Sequence, residues 1–266
     1  MSAPAPRHGH IASYSYVFLL TYGRSGSTVL NRVMNAIPGY LLRGENQNAL
    51  FELHRYLAAL RSARFDFIRR DHGPEHPWFG ANAIKVKRLE AECLTGFVRH
   101  ALRPEADSTV LGFKEIRHTR WDMSDDAFQA YVGFLLEHFP GAKIVFNSRN
   151  WQDVARSGWW ARTPPERVRD LIANADARFA QACATWPDRT LALRYESYAG
   201  QPEALRPLFG FLGASYDPGR VAPIMAKRLN HEKSLRRDIA PARPQAQAQD
   251  ARAPGRAPAT PKDAGF

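Results

Sequence analysis

Cysteine is nearly absent from this 266-residue chain, which carries only Cys93 and Cys183. Two thiols so far apart cannot build a disulfide framework, and neither has the local Cys or His partners of a zinc pattern. That usage suits a reducing compartment. Long apolar runs are missing as well. No stretch approaches the roughly 18 apolar residues of a membrane span. The longest early run, Val17 to Leu20, is too short for a signal-peptide apolar region. The reading is therefore a soluble, cytoplasmic protein without a transmembrane segment. Internal repeats are absent too. His72 and His76 stand four apart, but Gly73 and Pro74 between them break the helix that a metal-binding pair of that spacing needs, so they read as loop histidines. Acidic residues are in deficit, with 26 Asp and Glu against 37 Lys and Arg, a net charge of +11. The excess fits an anionic ligand carrying several phosphates. It also fits nucleic acid, an anionic membrane surface or simply a solvated basic face.

What is present is a chain of ordinary globular composition, 44% hydrophobic and 24% charged. It is long enough for one large α/β domain or two small ones. The organising stretch is Tyr16-Val17-Phe18-Leu19-Leu20-Thr21-Tyr22-Gly23-Arg24-Ser25-Gly26-Ser27-Thr28-Val29-Leu30. A β-rich apolar run ends at Gly23, a polar loop passes through Gly26, and a helix-forming run begins at Ser27. Strand, glycine loop and helix N-terminus together aim backbone N–H groups and a helix dipole at one point, which favours an anion. Arg24 adds a planar fork of donors, and Ser25, Ser27 and Thr28 add hydroxyls. A tight strand-to-helix turn with no ligand is the plainer reading of the same residues.

Periodicity and turn signals predict five strands: residues 15–21, 40–43, 109–116, 143–149 and 190–196. Helices are expected over 27–36, 46–60, 86–102, 125–139 (capped by Ser124), 151–161, 164–185, 202–212 and 218–229. Residues 61–83 read as a mixed segment and lid candidate. Alternating strands and helices predict an α/β fold with three layers, a central, mostly parallel five-stranded sheet flanked by helices. Residues 1–12 read as a flexible N-terminus, 13–235 as the folded domain, and 236–266 as an Ala/Pro/Arg-rich disordered tail. Ligands of such sheets sit at the carboxyl ends of the strands. That rule gathers Tyr22–Thr28, Gly44-Glu45, Lys114–Arg117 and Arg149–Ser157 along one edge.

The loop lacks the Gly-Lys step of the nucleoside-triphosphate motif G-x-x-x-x-G-K-[ST], because Ser27 follows Gly26. Its Arg-Ser-Gly-Ser-Thr spacing instead resembles the phosphosulfate loop of sulfotransferases that use 3′-phosphoadenosine 5′-phosphosulfate (PAPS). Ser148-Arg149-Asn150 with Ser157 eight residues after Arg149 resembles the family's 3′-phosphate site, and Gly112-Phe113-Lys114-Glu115 resembles its lysine-bearing strand. The resemblance covers roughly residues 14–235, with its specific motifs in these short stretches. It implies a P-loop-like fold and PAPS as co-substrate, with no metal. Gly23, Arg24, Ser25, Gly26, Ser27 and Thr28 would hold the 5′-phosphosulfate, and Arg149 and Ser157 the 3′-phosphate.

By the same resemblance Arg24 and Lys114 would stabilise the leaving oxygens. Glu45, placed as in tyrosylprotein and many carbohydrate sulfotransferases, would be the base, with Glu115 and His118 as rivals. The cytosolic type carries a histidine two residues after its lysine, where this chain has Ile116. Arg194-Tyr195-Glu196 resembles a last-strand motif and reads as packing. Val29 stands where the cytosolic type stacks a tryptophan on adenine, so that contact is unassigned; Lys227–Lys233 is a stand-in for the C-terminal nucleotide-covering loop. The expected acceptor is a glycan or glycolipid. A P-loop kinase and a basic nucleic-acid binder are the competing classes; the resemblance implies no nucleic-acid partner.

Overall fold

The computed structural model describes residues 11–67 and 73–227. Five parallel strands form one sheet in the order β2-β3-β1-β4-β5. They are β1 (Ser15–Thr21), β2 (Tyr40–Arg43), β3 (Val110–Glu115), β4 (Lys143–Ser148) and β5 (Thr190–Arg194). The helices are α1 (Ser27–Asn35), α2 (Ala49–Phe67), α3 (Val86–Phe97), α4 (Asp125–His138), α5 (Trp151–Ala155), α6 (Pro165–Thr185), α7 (Tyr195–Tyr198), α8 (Arg206–Leu212) and α9 (Pro218–Ala226). The expected α/β architecture is the observed one, with every strand pair parallel.

The alternation of β1 builds the three layers. Side chains on a strand point to opposite faces in turn. Tyr16, Phe18, Leu20 and Tyr22 enter one core with residues of α2, α3, α4 and α6. Val17 and Leu19 enter the other, with Leu30, Val33 and Met34 of α1 and with α8 and α9. Both faces of β1 are therefore dry, which is why its sequence reads as an unbroken apolar run. The chain leaves β1 toward β2 on one side and leaves β4 toward β5 on the other. The crevice between β1 and β4 is thus the switch point of the sheet, the place where open parallel sheets bind ligands.

Several boundaries differ from expectation for local reasons. The second helix starts at Ala49 rather than 46, because Gln47 and Asn48 adopt left-handed backbone (φ 61° and 58°). It then runs on to Phe67, so the first part of the expected lid is helix. The helix expected over 86–102 widens after Phe97 into a π turn, Val98–Leu102, closed by left-handed Arg103. The helix expected over 151–161 is broken: α5 ends at Ala155, Ser157 is extended, Gly158 is left-handed, and a separate 3-10 turn spans Gly158–Arg162. β5 stops at Arg194, and Tyr195 begins a helical turn. Ser124 caps α4 as expected, its hydroxyl accepting from the Ala127 amide at 3.2 Å. The expected tail, residues 1–10 of the expected flexible N-terminus, residues 68–72 of the expected lid and Arg228–Lys233 lie outside the described residues, whereas Ile11–Ser13 form a 3-10 turn whose Ile11 carbonyl accepts from Tyr16.

Gly112 of β3 lies so close to β1 that a Cβ there would stand 1.7 Å from the Val17 carbonyl oxygen. Gly112→Ala is expected to lower stability by about 3 kcal/mol, because backbone cannot move aside. Gly133, inside α4, would place a Cβ 3.6 Å from Trp186, an ordinary contact. Gly133→Ala should therefore stabilise by about 0.5–1 kcal/mol through helix propensity. Urea unfolding of the two variants beside the wild type checks both signs.

Candidate active site

The loop after β1 is held from below by polar groups that are themselves buried. Thr21 donates its hydroxyl to the Asn147 carbonyl at 2.5 Å and lies 2.8 Å from Ser25 Oγ. Asn147, fully buried in β4, donates from Nδ2 to the Ser25 carbonyl at 2.8 Å, and its Oδ1 accepts from Tyr198 at 2.8 Å. The loop is also walled. Trp160 donates its indole N–H to the Gly23 carbonyl at 3.0 Å. A Cβ on Gly23 would meet the Trp159 ring at 2.2 Å, and one on Gly26 the Tyr195 ring at 2.3 Å. Gly26 has φ 87°, the left-handed conformation that suits glycine, and forms the N-cap of α1 with no side-chain cap. The first amides of α1 are thereby left to an external acceptor.

Arg24 and Arg149 converge over this loop. Arg24, itself left-handed at φ 69°, donates from Nε to Ser157 Oγ at 2.7 Å. Arg149 donates from Nη1 to the Arg24 carbonyl at 3.1 Å and lies with its guanidinium 4.6 Å from the centre of the Tyr195 ring. Its nearest carboxylate, Asp153, is 3.8 Å from Nη2. Arg149 Nε is buried without a hydrogen-bond partner. A buried, unmet N–H is costly unless something accepts from it, so the donor set fits an anion. The structure thus brings Arg24 together with Ser157 and Arg149, the pair that the sequence expectation set at the 3′-phosphate, beside the loop on which it placed Arg24.

A second group lies at the end of β3. Lys114 Nζ pairs with Glu45 Oε1; the lysine is almost buried, the glutamate half-exposed. Leu19 of β1 is the in-register neighbour of Lys114, so this pair flanks the strand that feeds the loop. The rival residues are differently engaged. Glu115 is fully buried and accepts three backbone N–H bonds, from Asn46, Asn48 and Ile116. Burial pushes its pKa up, but those amides outweigh it and the net shift is downward. His118 is fully buried, with Nδ1 3.1 Å from the Thr21 carbonyl. Burial lowers its pKa despite Glu115 nearby, so it stays neutral.

Residues 17–218 match the sequence model of the Sulfotransferase family. The chain belongs to that family. Its fold is similar to that of the sulfotransferase domain from the Synechococcus PCC 7002 olefin synthase, with TM-score 0.51 and 18% identity over 86% of this chain and 82% of that one. It also matches the sulfotransferase domain from the curacin biosynthetic pathway (TM-score 0.45, 19% identity, 81% and 79% covered). A third match is sulfotransferase STF1 from Mycobacterium tuberculosis H37Rv (0.43, 14%, 82% and 72%). At such identities the likeness bears on the fold. A comparison with curated proteins finds no match. The activity is that of a sulfuryl-transferring enzyme.

Sequence reasoning missed several residues of this sulfotransferase's site. Tyr195, expected to be packing, lies against Gly26 and Arg149; only its position at a strand end hinted at this. Asn147 looked like one more residue of a buried strand, although a polar side chain in an apolar run is itself a signal. Trp159-Trp160 reads as pocket wall from the sequence, but the cluster it joins does not: Trp160 stacks on Trp121 with centroids 5.2 Å apart, and Arg167 lies over Trp121 at 5.1 Å. Tyr22 accepts from the Arg149 amide at 2.8 Å and lies 3.2 Å from Asp176 Oδ1.

Burial pushes the Asp176 carboxyl up to about 6, offset in part by the Tyr22 hydroxyl and Arg194 and reinforced by Glu196. Its folded pKa lies above its unfolded value, so the native state holds a proton that the unfolded chain releases. Ionisation then weakens the fold as pH rises from about 4 to about 6. Asp176→Asn keeps the acceptor oxygen. The variant is expected to exceed wild-type stability by about 2 kcal/mol at about pH 7 and to lose that advantage by about pH 4. Denaturant midpoints across this range measure the difference.

Proposed function

We propose that this sulfotransferase takes PAPS as its donor and transfers the sulfuryl group to a hydroxyl of a glycan or glycolipid in the cytoplasm. The observation that carries the donor assignment is the convergence of Arg24, Ser157 and Arg149, with Arg149 Nε buried and unmet. Gly23, Arg24, Ser25, Gly26, Ser27 and Thr28, with the amides of α1, would hold the 5′-phosphosulfate. Arg149 and Ser157 would hold the 3′-phosphate; Ser157 accepts from Arg24, which leaves its own O–H to donate. The residues present fit this group. When bound, it supplies an activated S–O–P linkage.

The protein's own part is positioning and charge. Glu45 accepts the proton of the acceptor hydroxyl as its oxygen bonds to sulfur. Arg24 and Lys114 neutralise the charge that gathers on the phosphate side as the old S–O bond breaks. Lys114 holds Glu45 by an ion pair, so the base and the leaving-group cation are oriented by one contact.

A cavity of about 260 Å³ opens beside Glu45. Phe97 and Leu102 supply apolar surface, and Arg43 and Arg103 line it as well. Arg43 is fixed there by the Leu102 and Arg103 carbonyls at 2.8 and 2.7 Å. A surface both apolar and polar suits an amphipathic hydroxyl compound, and this supports the glycolipid end of the acceptor range.

Calorimetry with 3′,5′-adenosine bisphosphate and ATP tests the donor reading. The bisphosphate should bind more tightly, and Arg149→Ala should weaken it about tenfold or more, the size of a lost charge-assisted contact. Tighter binding of ATP would instead favour a kinase. Salt-sensitive binding of polynucleotides undiminished in Arg149→Ala would favour a nucleic-acid protein. Transfer of labelled sulfate to a panel of alkyl glycosides and phenols tests the acceptor. Glu45→Gln and Lys114→Ala should each lower turnover about 100-fold with the best acceptor found, while leaving bisphosphate affinity near wild type for Glu45→Gln.

A further inference from the structure

We propose that Glu115 is a positioning residue, an internal anion around which the loop bearing Glu45 is folded. The proposal rests on the reading of Glu45 as the base. Glu115 ends β3 directly after Lys114 and is completely buried. Its Oε2 accepts from the Asn46 amide at 2.9 Å and the Asn48 amide at 3.0 Å. Its Oε1 accepts from the Ile116 amide at 2.8 Å. All three partners are backbone N–H groups, so the carboxylate is used as a template for chain shape.

The loop needs such a template. Gln47 and Asn48 are consecutive non-glycine residues in the left-handed region, at φ 61° and 58°. Left-handed backbone is disfavoured for residues with a Cβ, more for Gln47 than for Asn48. Left to itself the segment would relax into the helix that its composition suggests, carrying Glu45 with it. Two amides turned onto one carboxylate oxygen form an anion nest that stabilises this conformation. A second tie runs from Asn48 Nδ2 to the Arg117 carbonyl at 2.8 Å, and Asn46 Oδ1 accepts from the Ala49 amide at 3.2 Å where α2 begins. Two successive residues of β3 therefore grip one loop. Lys114 holds the side chain of Glu45, and Glu115 holds the backbone just after it.

Charge and geometry are both required. A glutamine at this position has one acceptor oxygen and one NH₂. If the oxygen serves Ile116, the NH₂ faces two amide donors; if it is turned over, Ile116 loses its acceptor. Glu115→Gln should thus release the loop while leaving the nucleotide loop in place, because that loop is held by Thr21, Asn147 and Trp160 instead.

The test is a double-mutant cycle with Glu45→Gln, read with the best acceptor of the panel above and with hydrogen exchange. Glu115→Gln alone should lower turnover about tenfold, with affinity for 3′,5′-adenosine bisphosphate within about twofold of wild type. Amide exchange should quicken in the peptide spanning 44–50 and stay unchanged over 22–30. In the Glu45→Gln background the same change should add almost nothing, because a positioned group that is gone cannot be lost again. Additive losses, or unchanged turnover in a folded Glu115→Gln protein, would overturn the proposal. Full turnover in Glu45→Gln would instead overturn the base assignment beneath it. If Glu115→Gln does not fold, Glu115→Asp, which keeps the charge but shortens its reach, enters the same cycle with the same expected outcomes.

Discussion

The site depends on a polar knot buried between β1 and β4. Asn147 uses its amide to bind the Ser25 carbonyl and its oxygen to accept from Tyr198, while Thr21 bonds its backbone carbonyl. Each of these groups lies where water cannot replace a lost partner, so an unmet one is unfavourable by about 1–3 kcal/mol. The knot therefore has essentially one good arrangement. Its position at the switch point fixes the glycine loop relative to the strand that leads to Arg149. Arg24 and Arg149 can then converge without any contact between them having to hold the two strands together.

The walls follow from the same constraint. With Ser25 drawn inward, the loop backbone at Gly23 and Gly26 faces outward with no side chain of its own. Trp159 and Trp160 cover the first glycine, and Tyr195 covers the second. The break in the helix after Arg156 makes this covering possible. A continuous helix from Trp151 would carry the two tryptophans around its axis. The extended Ser157 and left-handed Gly158 turn them onto the loop and set Ser157 against Arg24.

The sheet and the edge where the candidate site lies were legible because buried parallel strands are written as apolar runs closed by Gly, Pro or charge, although β5 ends two residues before its expected bound. β1 and β2 begin and end where their residues predict. Lys114, Arg149 and the glycine loop were legible because their residue types occur at strand ends, where ligands bind. The misses share a cause. Asn48 tolerates left-handed backbone, but Gln47 has no local reason to adopt it; the tie that holds the pair is Glu115, far away in sequence. Trp151–Ala161 carries its break signal in Ser157-Gly158, where Gly158 takes a left-handed backbone, and contacts to Gly23 and Arg24 set the two tryptophans and Ser157 beyond it. Tyr195 and Asn147 belong to strand-end and core patterns respectively, and only tertiary placement separates a group that shapes a site from one that fills a core. Such long-range contacts are absent from any local window.

The arginines show how that separation arises. The chain is rich in them, and by sequence they look alike. Arg178 is buried, and although its Nε is unmet, its charge is answered by Asp125, which accepts from Nη2 at 2.5 Å beside Asn174 at 2.9 Å. Arg43 and Arg189 donate to backbone carbonyls and brace helix ends and turns. These cations are engaged by the protein's own acceptors, and a ligand would have to compete for them. Arg24 reaches a hydroxyl, and Arg149 reaches a carbonyl and an aromatic face while one N–H stays buried and unmet. The carboxylate nearest Arg149, Asp153, stands 3.8 Å away, where that of Arg178 stands at 2.5 Å, so the charge of Arg149 is less closely answered. Under the proposed donor, an anion entering there would gain what the fold left unmade, and one lacking the second phosphate only part of it. In the proposed reading, selectivity between nucleotides would come from incompletely paired arginines rather than from shape alone.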